Sequence, residues 1–217
     1  MKTLKVSYAP RLDGTDIRFA AQYFEQHETY EYVDMLNWPT EYPYKPDCRF
    51  KIARSSDALY LFFKVVENNV KATYTNDNDP VWQDSCVEFF FQGPNQKTYN
   101  NFELNCIGTC LAAERAGREE GVVMFGPEKM SRIKRYATLG NQPFNEIKAG
   151  FEWKLTFAIP LDLLGLDKNN LPERVKANFY KCADGTSNPH YLSWSLISTK
   201  QPDFHRSEFF GDLIFVK

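Results

Sequence analysis

Residues 151–159 alternate without a break, with Phe151, Trp153, Leu155, Phe157 and Ile159 on one side and Glu152, Lys154 and Thr156 on the other. Side chains in a strand point by turns to opposite faces, so the segment predicts a strand with one buried and one wet face. Residues 58–66 are nearly apolar throughout, the pattern of a strand covered on both faces in the middle of a sandwich. A shorter strand at 50–52 precedes it across Ser55-Ser56-Asp57, a hairpin signal. Residues 85–92 and 98–106 form a second hairpin around Gly93-Pro94-Asn95.

Further strands are predicted at 28–38 (stopped by Pro39), 132–138, 175–183 and 209–216. Helical signals are few: residues 16–26, a stretch within 111–118, and a turn at 161–164 stopped by Gly165. Residues 1–14 read as an arm ending at Asp13-Gly14, and 67–81 as a polar loop. Many strands, few helical periods and frequent turn signals predict an all-β protein, an antiparallel β-sandwich of two sheets with a few short helices. One domain is expected over 1–217, with 1–46 as an N-terminal arm and first strand.

Composition narrows the partners. The 217-residue chain carries a net charge of −2 with its Lys and Arg scattered, so it lacks the basic patch of a nucleic-acid or anionic-membrane binder. The longest apolar run, 59–63, is too short to span a bilayer. Aromatic residues are 16% of the chain, which leaves flat apolar surface for stacking on a neutral ligand. Five cysteines, at 48, 86, 106, 110 and 182, are an odd number without Cys-x-x-Cys spacing, so free thiols in a reducing compartment are expected. With no apolar leader in the first residues, the expectation is a cytoplasmic protein; the alternative is a periplasmic or secreted one whose signal has been removed.

Candidate chemistry concentrates in residues 82–105. Glu88 shares a strand face with Cys86 and Phe90, and Glu103 shares one with Asn101 and Asn105. The two carboxylates could meet across the hairpin, or simply face water on a one-sided sheet. The polar loop holds Asn76-Asp77-Asn78-Asp79-Pro80, which reads first as a solvated turn. Its Asp-x-Asp pair is also the chain's candidate for a structural Ca²⁺, without the Gly and distal Glu of an EF-hand. The three histidines have no metal-ligand spacing.

Trp82 followed by Ser85-Cys86-Val87-Glu88-Phe89-Phe90, then Phe102-Glu103-Leu104-Asn105 before Gly108, resembles carbohydrate-binding module family 9, within the DOMON-like β-sandwich superfamily. Downstream, the segments 151–160, Asn178-Phe179-Tyr180-Lys181, Ser193-Trp194-Ser195 and Phe204-His205 with Phe209-Phe210-Gly211 are similar to the family's later strands. The resemblance covers about residues 47–217. It implies a sugar ring clamped between Trp82 and Trp194 and bonded by Glu88, with Asn105 nearby. Asn178, Lys181 and His205 are weaker candidates, each with a structural reading beside it. Glu103 stands where some members carry Arg, so an acceptor replaces a donor. Trp153 is core on either reading.

The resemblance therefore implies non-catalytic binding of a small sugar or glycan end, in association with a glycan-degrading enzyme. The rival from the residues is a glycoside hydrolase using Glu88 and Glu103 as its acid pair. A haem-binding electron-transfer domain ranks below both, because Met35, Met124 and Met130 form no pairing with a His.

Overall fold

The alternation seen at 151–159 belongs to a longer strand in the computed structural model, which describes residues 2–216. In chain order the elements are β1 (Thr3–Tyr8), α1 (Ile17–Gln26), β2 (Glu31–Tyr32), β3 (Met35–Leu36), β4 (Asp47–Arg54), β5 (Ala58–Ala72), β6 (Cys86–Gln92), β7 (Tyr99–Asn105) and β8 (Cys110–Arg115). There follow β9 (Val123–Met124), α2 (Pro127–Arg132), β10 (Lys134–Ala137), β11 (Phe144–Pro160), β12 (Arg174–Cys182), β13 (Tyr191–Ser193) and β14 (Gly211–Phe215).

The strands run in the order β10-β11-β5-β4-β1-β14-β12-β6-β7-β8-β9, an all-β arrangement folded over as a sandwich. The fold turns on β1. Its first residues pair in parallel with β14, Thr3 beside Asp212, and its last pair in parallel with β4, Ser7 beside Ala53. Residues expected to form an arm therefore join the two sheets. The Leu4/Val6 alternation that carries this strand was too short to stand out, and partners more than 40 residues away decide it.

Three more expectations are corrected. Residues 110–115 form a strand instead of a helix, because Leu111 and Ala112 pair with Glu103 and Phe102 of β7, and this pairing overrides the helical preference of Leu-Ala-Ala-Glu-Arg. The polar loop begins later than expected, since β5 continues to Ala72 while pairing with the far half of β11. The segment 28–38 supplies only the two-residue strands β2 and β3. Between the sheets lies a core of Phe50, Phe63, Phe89, Phe157, Phe179, Trp153 and Trp194, all fully buried. Phe50 and Phe179 stack at 3.8 Å between ring centres, joining one sheet to the other. Among the described residues no helix is long and apolar enough to cross a membrane.

Candidate functional site

The hairpin β6–β7 sets Glu88 directly opposite Glu103, and β12 lies on the other side of β6 with Tyr180 opposite Glu88 and Cys182 opposite Cys86. These residues share the outer face of their sheet, away from the inter-sheet core. A cavity of about 540 Å³ opens over that face, within the range of about 300–1,000 Å³ common for small-ligand sites. Glu88, Glu103 and Cys182 form its floor; Trp82, Tyr191 and Phe204 are its aromatic walls; Arg115, Arg118, Glu119, Asp184, Asp203 and His205 complete the lining.

Of the four tryptophans, Trp82 alone turns substantially outward, 37% exposed against 0% for Trp153 and Trp194 and 4% for Trp38. It sits on a short 3-10 turn, Val81–Gln83, whose Val81 is buried. The Trp82 carbonyl accepts from the Asp184 backbone N–H at 3.1 Å, which pins that wall to the end of β12. Below the turn, buried Asp84 accepts from the backbone N–H groups of Thr73 and Tyr74 and from the Thr73 hydroxyl, at 2.9–3.0 Å.

The floor carboxyls have few partners. The Cys182 thiol donates to Glu88 Oε1 at 3.1 Å. Glu103 Oε1 accepts from Asn101 Nδ2 at 2.9 Å, and Arg115 Nε donates to Asn101 Oδ1 at 2.8 Å, so the nearest guanidinium reaches Glu103 only through an amide. Glu103 Oε2 is buried without a hydrogen-bond partner. Burial, helped by repulsion from Glu103, raises the Glu88 carboxyl well above its ordinary range. Burial raises Glu103 to about 7 and Asp184 to about 6. His205, whose Nδ1 lies 2.8 Å from the Tyr99 hydroxyl, is lowered to about 3 by burial and by Arg115 and Arg118, and is neutral.

Cys86 Sγ, Cys182 Sγ and a Glu88 oxygen lie within 4.8 Å of one another, a grouping of the metal-ligand type. Burial raises both thiols, Cys86 to about 12. In the Asp-x-Asp loop, Asp77 is held by Arg135 at 2.5 and 3.1 Å and Asp79 Oδ2 by Asn76 at 3.1 and 3.2 Å, so three of the four carboxylate oxygens of the candidate Ca²⁺ loop already accept from protein donors.

Of the residues expected at a site, the structure brings Trp82, Glu88, Glu103 and His205 into one cavity. The other four lie elsewhere. Trp194 is in the core, its ring edge-on to Phe179 at 5.5 Å and its Nε1 donating to Glu31 at 3.2 Å. Gly211 lets the indole lie there, since a Cβ at that position would run into the ring. The expected pair of tryptophan walls is therefore not assembled. Asn105 spends its amide on the Trp82 turn, donating to Tyr74 O at 2.9 Å and Asp84 Oδ2 at 3.0 Å while accepting from Thr109 N at 2.9 Å. Asn178 ties down the chain after β13 through Ser195 N and O, at 2.9 and 3.1 Å.

Lys181 points to the inner face, where it meets Glu67 at 2.9 Å. Alternation along β12 carried that signal, because Phe179 and Lys181 share one parity and Tyr180 and Cys182 the other. Sequence reasoning missed Arg115, Arg118, Asp184, Tyr191 and Phe204 as site residues. A helical reading of 111–118 hides the first two, Tyr191 opens the three-residue strand β13, too short for a period, and Asp184 and Phe204 come from loops.

Among proteins of curated function, none matches the chain. The sequence model for carbohydrate-binding family 9 matches residues 21–215. A crystal structure from Bacteroides uniformis ATCC 8492, provisionally described as a carbohydrate-binding protein, is 33% identical over 99% of each chain with a TM-score of 0.91. Two structures of a family 9 module from Caldicellulosiruptor kristjanssonii are similar in fold at 14% identity. One is in complex with glucose (TM-score 0.57, 99% of this chain and 96% of the other) and one with cellotriose (0.60, 99% and 93%). With a family match that leaves out only the first twenty residues and the last two, and a relative alike from end to end, the chain belongs to carbohydrate-binding family 9.

Proposed function

We propose that the cleft above β6, β7 and β12 binds a small sugar or the end of a glycan without hydrolysing it, in the service of glycan degradation. One observation carries the reading: the exposed face of Trp82 stands over a buried pair of carboxyls in a single cavity. A sugar ring offers an apolar C–H face and a rim of hydroxyls, and this cavity offers stacking surface and hydrogen-bond acceptors in that arrangement. Tyr191 and Phe204 take the part of the second wall that Trp194 was expected to supply. The glucose and cellotriose held by the Caldicellulosiruptor modules make neutral glycans the natural first ligands to try.

The two acids also invite a glycosidase reading, but catalysis by a carboxyl pair needs one acid kept protonated and the other ionised. Burial pushes both Glu88 and Glu103 up, and measured turnover is what separates the two readings. The test is a glycan array followed by calorimetric titration of the best hit. Losing about 60 Å² of stacking area in Trp82→Ala removes about 1.5 kcal/mol, roughly tenfold in Kd. Unchanged affinity in that variant, or turnover of aryl-glycosides abolished by Glu88→Gln in a folded protein, would sink the proposal.

A further inference from the structure

Among the described residues, no cation pairs with the carboxyls on the floor: Glu88 and Glu103 are each 3% exposed, and no described Lys, Arg or His nitrogen lies within ion-pair distance of either. The two arginines of the cleft are engaged elsewhere: Arg115 with Asn101 and the Arg118 carbonyl, Arg118 with Asp203 at 3.5 Å. Glu103 Oε2 is buried without a hydrogen-bond partner in a residue that lines the cavity. A buried acceptor with no donor costs free energy that a ligand can return. Aromatic rings stand on the walls above, and an aromatic face beside carboxylates is the setting in which an ammonium group is held best.

We infer that the sugar end that enters deepest carries a protonated amine: the cleft selects an amino sugar over its neutral parent, with the Glu103 carboxyl as the principal acceptor. The inference deepens the carbohydrate reading and rests on it. An ammonium placed between Glu88 and Glu103 donates to both and draws them into their ionised form. A hydroxyl at the same position supplies one neutral hydrogen bond and leaves the second acid protonated. An N-acetyl group in place of the amine removes the charge and adds bulk over a floor already closed by Cys182.

The experiment is calorimetric titration near pH 7 of the full chain with three methyl glycosides in both the gluco and galacto series: the neutral sugar, the 2-amino-2-deoxy sugar and its N-acetyl derivative. A methyl glucuronide serves as the acidic arm. The expected result is an amino sugar bound about tenfold tighter than its neutral parent, the gain of a charge-assisted hydrogen bond over a neutral one. Glu103→Gln should bring that ratio close to one, with thermal melts showing that the variant is folded. Equal affinity for amine and parent, or a preference for the N-acetyl sugar or the glucuronide, overturns the inference and leaves carbohydrate binding intact. Failure of every glycoside to bind overturns both readings together.

Discussion

Two buried acidic clusters lie on opposite faces of β12, one residue apart in sequence, and they are built on opposite principles. On the inner face Lys181 Nζ meets Glu67 Oε2 at 2.9 Å, the Cys182 carbonyl at 2.8 Å and His190 Nε2 at 2.9 Å. Trp153 Nε1 donates to Glu67 Oε1 at 2.7 Å, and His190 Nδ1 donates to Asn188 O at 2.9 Å. Burial and the Lys181 charge hold His190 well below its usual range, so it is the neutral tautomer that accepts from the lysine. Burial is the largest influence on Lys181 and would lower it, but the charge and hydrogen bond of Glu67, with the neighbouring Cys182 and Cys48, together outweigh it and keep the ammonium above its ordinary value. On the outer face, Glu88 and Glu103 have a thiol, an amide and an unused oxygen between them. The closed cluster is an internal strut. The open one keeps its hydrogen-bonding capacity for something that comes from outside.

The contrast breaks most violently at the strut. Lys181→Met leaves the Glu67 carboxylate buried with no cation, and a loss of about 3–5 kcal/mol in denaturant unfolding is expected. Adding Glu67→Gln should restore part of it, because the uncompensated charge is then gone. A Lys181→Met protein as stable as wild type would mean that the two clusters do not differ as described.

Trp194→Ala should cost a similar about 3–5 kcal/mol, since it removes a ring packed against Phe50 and Phe179 and leaves a cavity over Gly211. Its melting temperature should fall well below that of wild type at every ligand concentration. A variant that melts normally but fails to bind sugar would return Trp194 to the site.

Glu103→Gln sharpens the comparison from the other side, because here a substitution should stabilise. The folded-state value of about 7 lies above the ordinary 4.5, so the folded protein holds a proton that the unfolded chain has lost between those limits. Stability therefore falls as pH rises from about 4.5 to about 7 and is level above that window. Replacing the acid by a neutral amide removes this decline and should add of order 1–3 kcal/mol above neutral pH. Melts recorded across pH 4 to 8 check it, and a wild-type profile that rises through this window would show that Glu103 is ionised and paired.

The smallest expected effect on stability is that of Trp82→Ala. Trp82, 37% exposed on a turn held by Val81 and Asp84, should cost about 1 kcal/mol or less when truncated, against the roughly tenfold loss of sugar affinity expected of the same variant. A loss as large as that of Trp194→Ala would place Trp82 in the core as well.

The sequence by itself determined several of the strands and the hairpin on which the acid pair sits. Strict alternation at 151–159, the apolar run at 58–66 and the Gly93-Pro94-Asn95 turn dictate faces and register locally, and the register of one hairpin is enough to set Glu88 against Glu103. It also marked Trp153 as core, because alternation names its face without reference to any other element. It could not separate Trp82 from Trp194, two tryptophans in polar surroundings, since exposure depends on what covers a ring. Phe50, Gly211 and Phe179 cover Trp194, and all three come from other strands, Phe50 from β4 near the other end of the chain. The same holds for Lys181, whose charge looks like a ligand until β5 supplies Glu67, and for Arg115, whose strand exists only because β7 offers it an edge. Periodicity is a property of one segment, whereas burial and charge compensation belong to pairs of segments, and only the tertiary structure brings those pairs together.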